Sequence, residues 1–341
     1  SDGARARTAA AGVIRQAVTM IRLAGAIGLL ALISVPIWLG NSYYVNIASQ
    51  ILIWAVFALA LNVLVGWAGL VSLGHAGLFG VACYTGALLI VAGWGHLAAA
   101  VAAIAVTLVA SALFGVLSLR TSGIGFIMIT LALGQILWGI AYRWIDLTNG
   151  DNGIILGARP QPFGVSLESP SAFYFFTLLV FLCTLASMAA FAKSPFGISL
   201  RGTRDQARRM TALGYHVWLI RFAAILFSGL FSGVAGLLFL YYHLYVSPHV
   251  LGLPGSAEVL LMVISGGSGT LLGPIVGAAL VVVMKTVASA YIERWNLVLG
   301  AIFVAIVLFM PDGIVPGARR FWCWGRNSLR ELIAAKGENR S

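Results

Sequence analysis

Charge is what this chain of 341 residues has least of: Asp, Glu, Lys and Arg together make up 9% of it, against roughly 25% in an ordinary soluble domain. Hydrophobic residues fill 60%. The shortage leaves no room for a second soluble domain, because the longest polar segments reach only about 25–30 residues. Cysteine is scarce too. Cys83, Cys183 and Cys323 are odd in number and far apart, which gives neither a disulfide framework nor a zinc site; they read as apolar filler. No G-x-x-x-x-G-K-[ST] nucleotide-binding loop occurs anywhere. Carboxylates are missing from the first four apolar spans, and ion-coupled transport draws on such groups. The alternating ten-residue strands of a membrane barrel are also absent.

What is present is a succession of long apolar runs, each able to cross a bilayer as a helix. They fall at 23–40, 46–65, 70–92, 97–118, 124–145, 172–192 and 217–245, separated by breaks such as "LGNSYY" and "GWGH". The first follows a basic stretch like a signal peptide, but its length and its exit "SVPIWLGNSYY" suit a retained span. After Pro254 come three more runs, 256–268, 271–289 and 296–311. The expected fold is therefore all-α, a polytopic transmembrane helix bundle of about ten spans. Residues 1–22 form a basic segment before it, 23–315 the membrane domain, and 316–341 a basic tail.

The net charge of +11 is not a nucleic-acid footprint. All of the 21 Lys and Arg except Arg143, Arg159, Lys285 and Arg294 lie before residue 23, at Arg120, between Lys193 and Arg221, or after residue 318. That asymmetry is the positive-inside pattern, which places both termini and the 193–216 loop in the cytoplasm. Glu258, Glu293 and Lys285 read as residues near helix ends, explained by water.

Two glycine-rich stretches interrupt the apolar pattern: "GWAGLVSLGHAGLFG" at 66–80 and "GGSGTLLGPIVG" at 266–277. Glycine inside a helix costs about 1 kcal/mol relative to alanine. Non-helical backbone at membrane depth is tolerated where it is buried in protein or lines a water-filled cavity, and broken helices commonly frame transporter substrate sites. Close helix packing explains the glycines equally well. The expected translocation path combines Asn62, Gly69, Ser72, Gly74, His75, Tyr84, Thr130, Gly266, Gly267, Ser268, Gly269 and Gly273, uncharged groups suited to a small solute that must bind weakly. His75 reads either as functional or as a hydrogen-bonded core histidine. Ser228, Ser232 and Gly236 repeat at i+4, with Gly229 and Gly233 beside them, a small-residue face for close helix packing.

The stretch "RDQARRMTALG" (204–214), followed by "YHVWLIRFAAILFSGLFSGVAGLL", resembles the cytoplasmic coupling loop of permease subunits in branched-chain amino-acid ABC importers, the LivH/LivM group. The family pattern is similar to R-D-N-E-x-A-A-x-A-L-G. Arg204, Asp205, Ala212, Leu213 and Gly214 match it, whereas Ala207, Arg209 and Met210 depart from it. The blocks 61–89, 147–154 and 261–280 also resemble family segments, in an order closer to LivM. The resemblance implies a permease with no catalytic residue, metal or cofactor of its own. ATP and magnesium belong to two ATP-binding subunits docked on a coupling loop that includes Arg204, Asp205, Ala207, Ala212, Leu213 and Gly214. It further implies a second permease subunit, a periplasmic or lipid-anchored solute-binding protein, and a bacterial inner membrane. Branched-chain amino acids come first as substrate, then urea or short amides. The alternatives are a secondary transporter of small solutes and an intramembrane serine protease using "GGSG" (266–269) with His75.

Overall fold

The computed structural model describes residues 41–291 except 158 and 160–166, together with 32, 34, 36, 297, 300, 301, 304, 305, 308 and 313–317. Most of the first and tenth expected spans, the segment 1–22 and nearly all of the 316–341 tail lie outside the described residues. Nine helices of more than one turn are described end to end: α1 Ser42–Asn62, α2 His75–Val91, α3 His96–Ser118, α4 Ile124–Arg143, α5 Pro170–Lys193, α6 Pro195–Ala212, α7 Val217–His243, α8 Leu253–Gly266 and α9 Gly273–Tyr291. The architecture is the expected all-α helix bundle. Six described helical stretches, α1 with its extension to Ala68, α3, α4, α5, α7 and α9, are long and apolar enough to cross a membrane. The helices α2 and α8 are apolar but shorter.

The helix ends follow local chemistry. The Asn41 side chain accepts from Tyr43 N and starts α1. Ser169 before Pro170 and Ser194 before Pro195 cap α5 and α6 in the same way, with proline at a position that needs no N–H. α1 runs on as a π-helical turn, Val63–Ala68, and stops at Gly69 in the left-handed conformation (φ 70°).

α1 is the central pillar. From Leu52 to Asn62 every residue but Trp54 is buried, as befits a helix apolar on all sides. α7 packs across it and against α2 and α3 through its small-residue face. A Cβ on Gly229 would meet Ser111, one on Gly233 would meet Thr107, and one on Gly236 would meet the Phe79 carbonyl. These glycines let backbones approach where a larger residue would hold them apart.

Two connections carry secondary structure that the apolar runs do not announce. The 193–216 loop is mostly helix: α6 fills 195–212, with one non-helical residue, Gln206 (φ −150°, ψ 81°). At the opposite end of the bundle a small antiparallel ribbon pairs Ile154 with Val246 and Ile155 with Tyr245. No apolar periodicity announces strands of two residues.

Candidate functional site

Both glycine-rich stretches break their helices, in different ways. Residues 69–74 are non-helical, so the expected span 70–92 is helical only from His75. α2 has 17 residues and a length of about 25 Å, short of the roughly 30 Å hydrocarbon core. The second stretch turns the chain back sharply between α8, of 14 residues, and α9. Gly267 (φ 111°) and Gly269 (φ 84°) supply conformations that side-chain-bearing residues avoid.

The two breaks touch. Gly66 packs backbone to backbone on Gly269. Asn62 Nδ2 donates to Thr270 O at 2.9 Å, Asn62 Oδ1 accepts from Gly269 N at 2.9 Å, and Trp67 Nε1 donates to Gly269 O at 3.1 Å. Thr270 Oγ1 donates to Gly267 O and accepts from Gly273 N, both at 2.9 Å. Gly267 O, Gly269 N and O, Thr270 O and Gly273 N of the turn are thus satisfied inside the protein. Gly266 and Gly273 pack on each other, Gly277 packs on the Met262 carbonyl, and Gly313 packs on Gly267. Ser268 is exposed at the tip.

α6 closes this crossing. Arg204 donates to Gly66 O, and its side chain lies against Gly69 and Gly269. Arg201 donates to Ala192 O, and Arg221 Nη2 donates to Thr203 O at 2.8 Å. Carbonyls at helix ends are natural partners for such cations. Trp67 stacks on Phe191 and Phe191 on Phe227, tying α1, α5 and α7 together beside it. Asp205, Arg208, Arg209, Ala212, Leu213 and Gly214 point away, exposed, while Ala207 is half-buried. Gly214 is left-handed (φ 88°).

His75 sits deeper in the bundle and is buried. Ser228 Oγ donates to Ala60 O at 2.5 Å and therefore accepts from His75 Nε2–H at 2.7 Å. His75 Nδ1 is then the acceptor for Ser72 Oγ at 3.3 Å. The network fixes one neutral tautomer and ties the non-helical segment to α1 and α7. Leu73 N donates to Thr130 Oγ1 at 3.3 Å, and Gly74 packs on the Thr130 carbonyl. Tyr84 is buried a few turns along α2. Both ring nitrogens of His75 are committed to Ser72 and Ser228, so His75 does not pair with Ser268 as a catalytic base.

A relationship absent from the sequence reading joins the two short helices. Ala76 N, in the first turn of α2, donates to Ser256 Oγ, in the first turn of α8, at 3.0 Å. Leu251 packs on Gly80, so α8 runs antiparallel to α2 and the two half-helices begin side by side. Glu258 and Lys285 were likewise missed as a pair: Lys285 Nζ lies 3.2 Å and 3.3 Å from the two Glu258 oxygens. Glu258 lies five residues after the start of α8 and Lys285 six residues before the end of α9, each within two turns of a helix end. Their separation in sequence gave no signal. Among the described residues there is no group of three His, Cys, Asp or Glu that could hold a metal.

A bundle of apolar helices, two of them interrupted and meeting within the bundle, defines a multi-pass membrane permease. The chain belongs to the family of permease components of branched-chain amino acid transport systems, whose model matches residues 43–307. It is 29% identical over 299 residues to the high-affinity branched-chain amino acid transport permease LivM of Salmonella typhimurium and of Escherichia coli, covering 81% of this chain and 70% of each relative. LivH of Salmonella typhi is 22% identical over 184 residues, 51% of this chain and 59% of that protein. No solved structure gives a significant match.

Proposed function

We propose that this chain is one permease half of an ATP-driven, binding-protein-dependent importer of branched-chain amino acids in a bacterial inner membrane. A second permease, two ATPase subunits carrying ATP and magnesium, and a periplasmic or lipid-anchored binding protein complete it. Both termini and α6 lie on the cytoplasmic side, and the β-ribbon faces outward, as the distribution of basic residues favours. The observation that carries the reading is the contact of Arg204 with Gly66, Gly69 and Gly269. Its helix is docked on the meeting point of both broken segments, and its far face, with Asp205, Arg208, Arg209 and Leu213, is free to meet an ATPase. Displacing α6 by ATP binding then moves the two interruptions together, opening and closing a path along the groups around His75, Ser72 and Thr130.

The test is reconstitution with the partner subunits in liposomes. Leucine uptake is expected only with ATP and loaded binding protein, and Arg204→Ala should lower uptake far more than ATP hydrolysis. Uptake by this chain alone under an ion gradient would instead support the secondary transporter. Orientation is checked in cells: an impermeant thiol reagent added outside should label Ile155→Cys and leave Arg208→Cys unmodified.

A further inference from the structure

We propose that the β-ribbon at the outer end of the bundle is a cover whose strands part to admit the solute, and that the Tyr84 hydroxyl it encloses is a hydrogen-bond partner of the entering solute. This rests on the importer reading above and adds the place of entry.

Tyr84 is only 6% exposed, and its hydroxyl is enclosed with no hydrogen-bond partner among the described residues. Burying a hydroxyl without a partner is unfavourable, and such groups are exceptional in folded proteins. Phenylalanine would fill the same space without that penalty. A hydroxyl left unpaired while the entrance is shut and paired when solute arrives accounts for tyrosine here.

What covers it is weakly held. Tyr84 is within electrostatic reach of Tyr245 in one strand and of Asp151 just before the other. Both strands, Ile154–Ile155 and Tyr245–Val246, pack on α2. They reach it from distant parts of the chain, one after α4 and the other from the end of α7. Two residue pairs and the bond from Leu156 N to Leu244 O at 2.8 Å join them. A ribbon of two strands is marginal by itself. The contact of His249 Nε2 with Asp151 Oδ1 at 3.7 Å is exposed and adds little. Among the described residues, the non-glycine residues at positive φ are Asn149 (62°) and Leu244 (54°), and they stand at the roots of the two strands. Leu244 carries the greater strain, because asparagine tolerates this region better. Strained backbone of this kind gathers at ligand clamps and switch regions.

A recess of about 430 Å³ borders the ribbon, lined by Leu88 and Val91 of α2 and by Asp146, Asn149, Asn152 and Ile154. Leu88 and Val91 follow Tyr84 at i+4 and i+7, on one face of the helix. Mostly apolar walls with a few polar groups suit a small organic solute. Parting the strands then uncovers Tyr84 one turn before Leu88, where its hydroxyl donates to an oxygen of the solute.

The test uses the assembled transporter in liposomes with leucine-loaded binding protein and ATP. Ile155 and Tyr245 lie directly opposite in the ribbon, a separation that a disulfide can span. In Ile155→Cys/Tyr245→Cys, oxidation should lower leucine uptake by about tenfold or more and a reductant should restore it, while the wild-type complex responds to neither. The oxidised and reduced forms are one protein, so a folding defect does not explain the difference. Equal uptake by both forms, with the cross-link verified by mass, overturns the cover. Tyr84→Phe should lower uptake by about tenfold with an unfolding temperature no lower than wild type. Wild-type uptake in this variant overturns the role of the hydroxyl, and so does a lower unfolding temperature with unchanged uptake per folded complex. Should the reduced cysteine pair not transport, Tyr84→Phe decides alone. A wild-type complex that carries no leucine defeats the importer reading, and this inference with it.

Discussion

Asn62 on α1 holds the tip of a hairpin 207 residues further along the chain: its carboxamide donates to Thr270 O and accepts from Gly269 N, each at 2.9 Å. One side chain thereby replaces the missing helical bonds of two backbone groups at the α8–α9 turn. Leucine has the same branched outline and number of heavy atoms and neither function. Asn62→Leu should strand both groups, each costing about 1–3 kcal/mol, and lower the thermal unfolding temperature of the purified complex by several degrees. An unchanged unfolding temperature would mean that water reaches the turn.

The glycines separate into two kinds. A Cβ at Gly236 would press on the Phe79 carbonyl, whereas one at Gly139 meets nothing within 4 Å. Gly236→Ala should reduce folded yield, and Gly139→Ala should be neutral or stabilising by up to about 1 kcal/mol. Gly74→Leu and Gly273→Leu would press on the carbonyls of Thr130 and Gly267, so folded yield and uptake should fall together. Size-exclusion profiles of the detergent-solubilised variants make the comparison.

His75 links three segments through two serine hydroxyls. Its network needs one donor and one acceptor at fixed places, which glutamine can supply in part and leucine cannot. His75→Gln should keep a measurable fraction of uptake, and His75→Leu should be less stable by about 1–3 kcal/mol. Total inactivity of a well-folded His75→Gln complex would point to proton transfer at this position.

Gly214 ends the turn between α6 and α7 with φ 88° and open space around it. Valine there meets no neighbour but must adopt a left-handed backbone at about 1–2 kcal/mol, redirecting the entry to α7. Asp205→Lys reverses a charge on the exposed face just before the break at Gln206. Both variants should reduce ATPase co-purification and stimulated hydrolysis without altering what the binding protein captures. Wild-type values for both would leave α6 as a solvated connection.

The sequence alone carried the class, because lipid imposes a rule that can be read locally: long apolar runs must be helices, and cations gather on one side. It also marked the two glycine-rich stretches that contain the interruptions, while leaving close helix packing an equal explanation of their glycines. What tertiary structure decided is which distant residues meet. That Asn62 satisfies Gly269, that Ser256 caps Ala76, and that Glu258 pairs with Lys285 depend on helix packing over tens or hundreds of residues. Hydrophobic periodicity reports which face is buried, not which neighbour buries it. The same holds for α6: its charges marked a connection between spans, while its docking through Arg201, Arg204 and Arg221 depends on backbone carbonyls that only the folded bundle brings within reach.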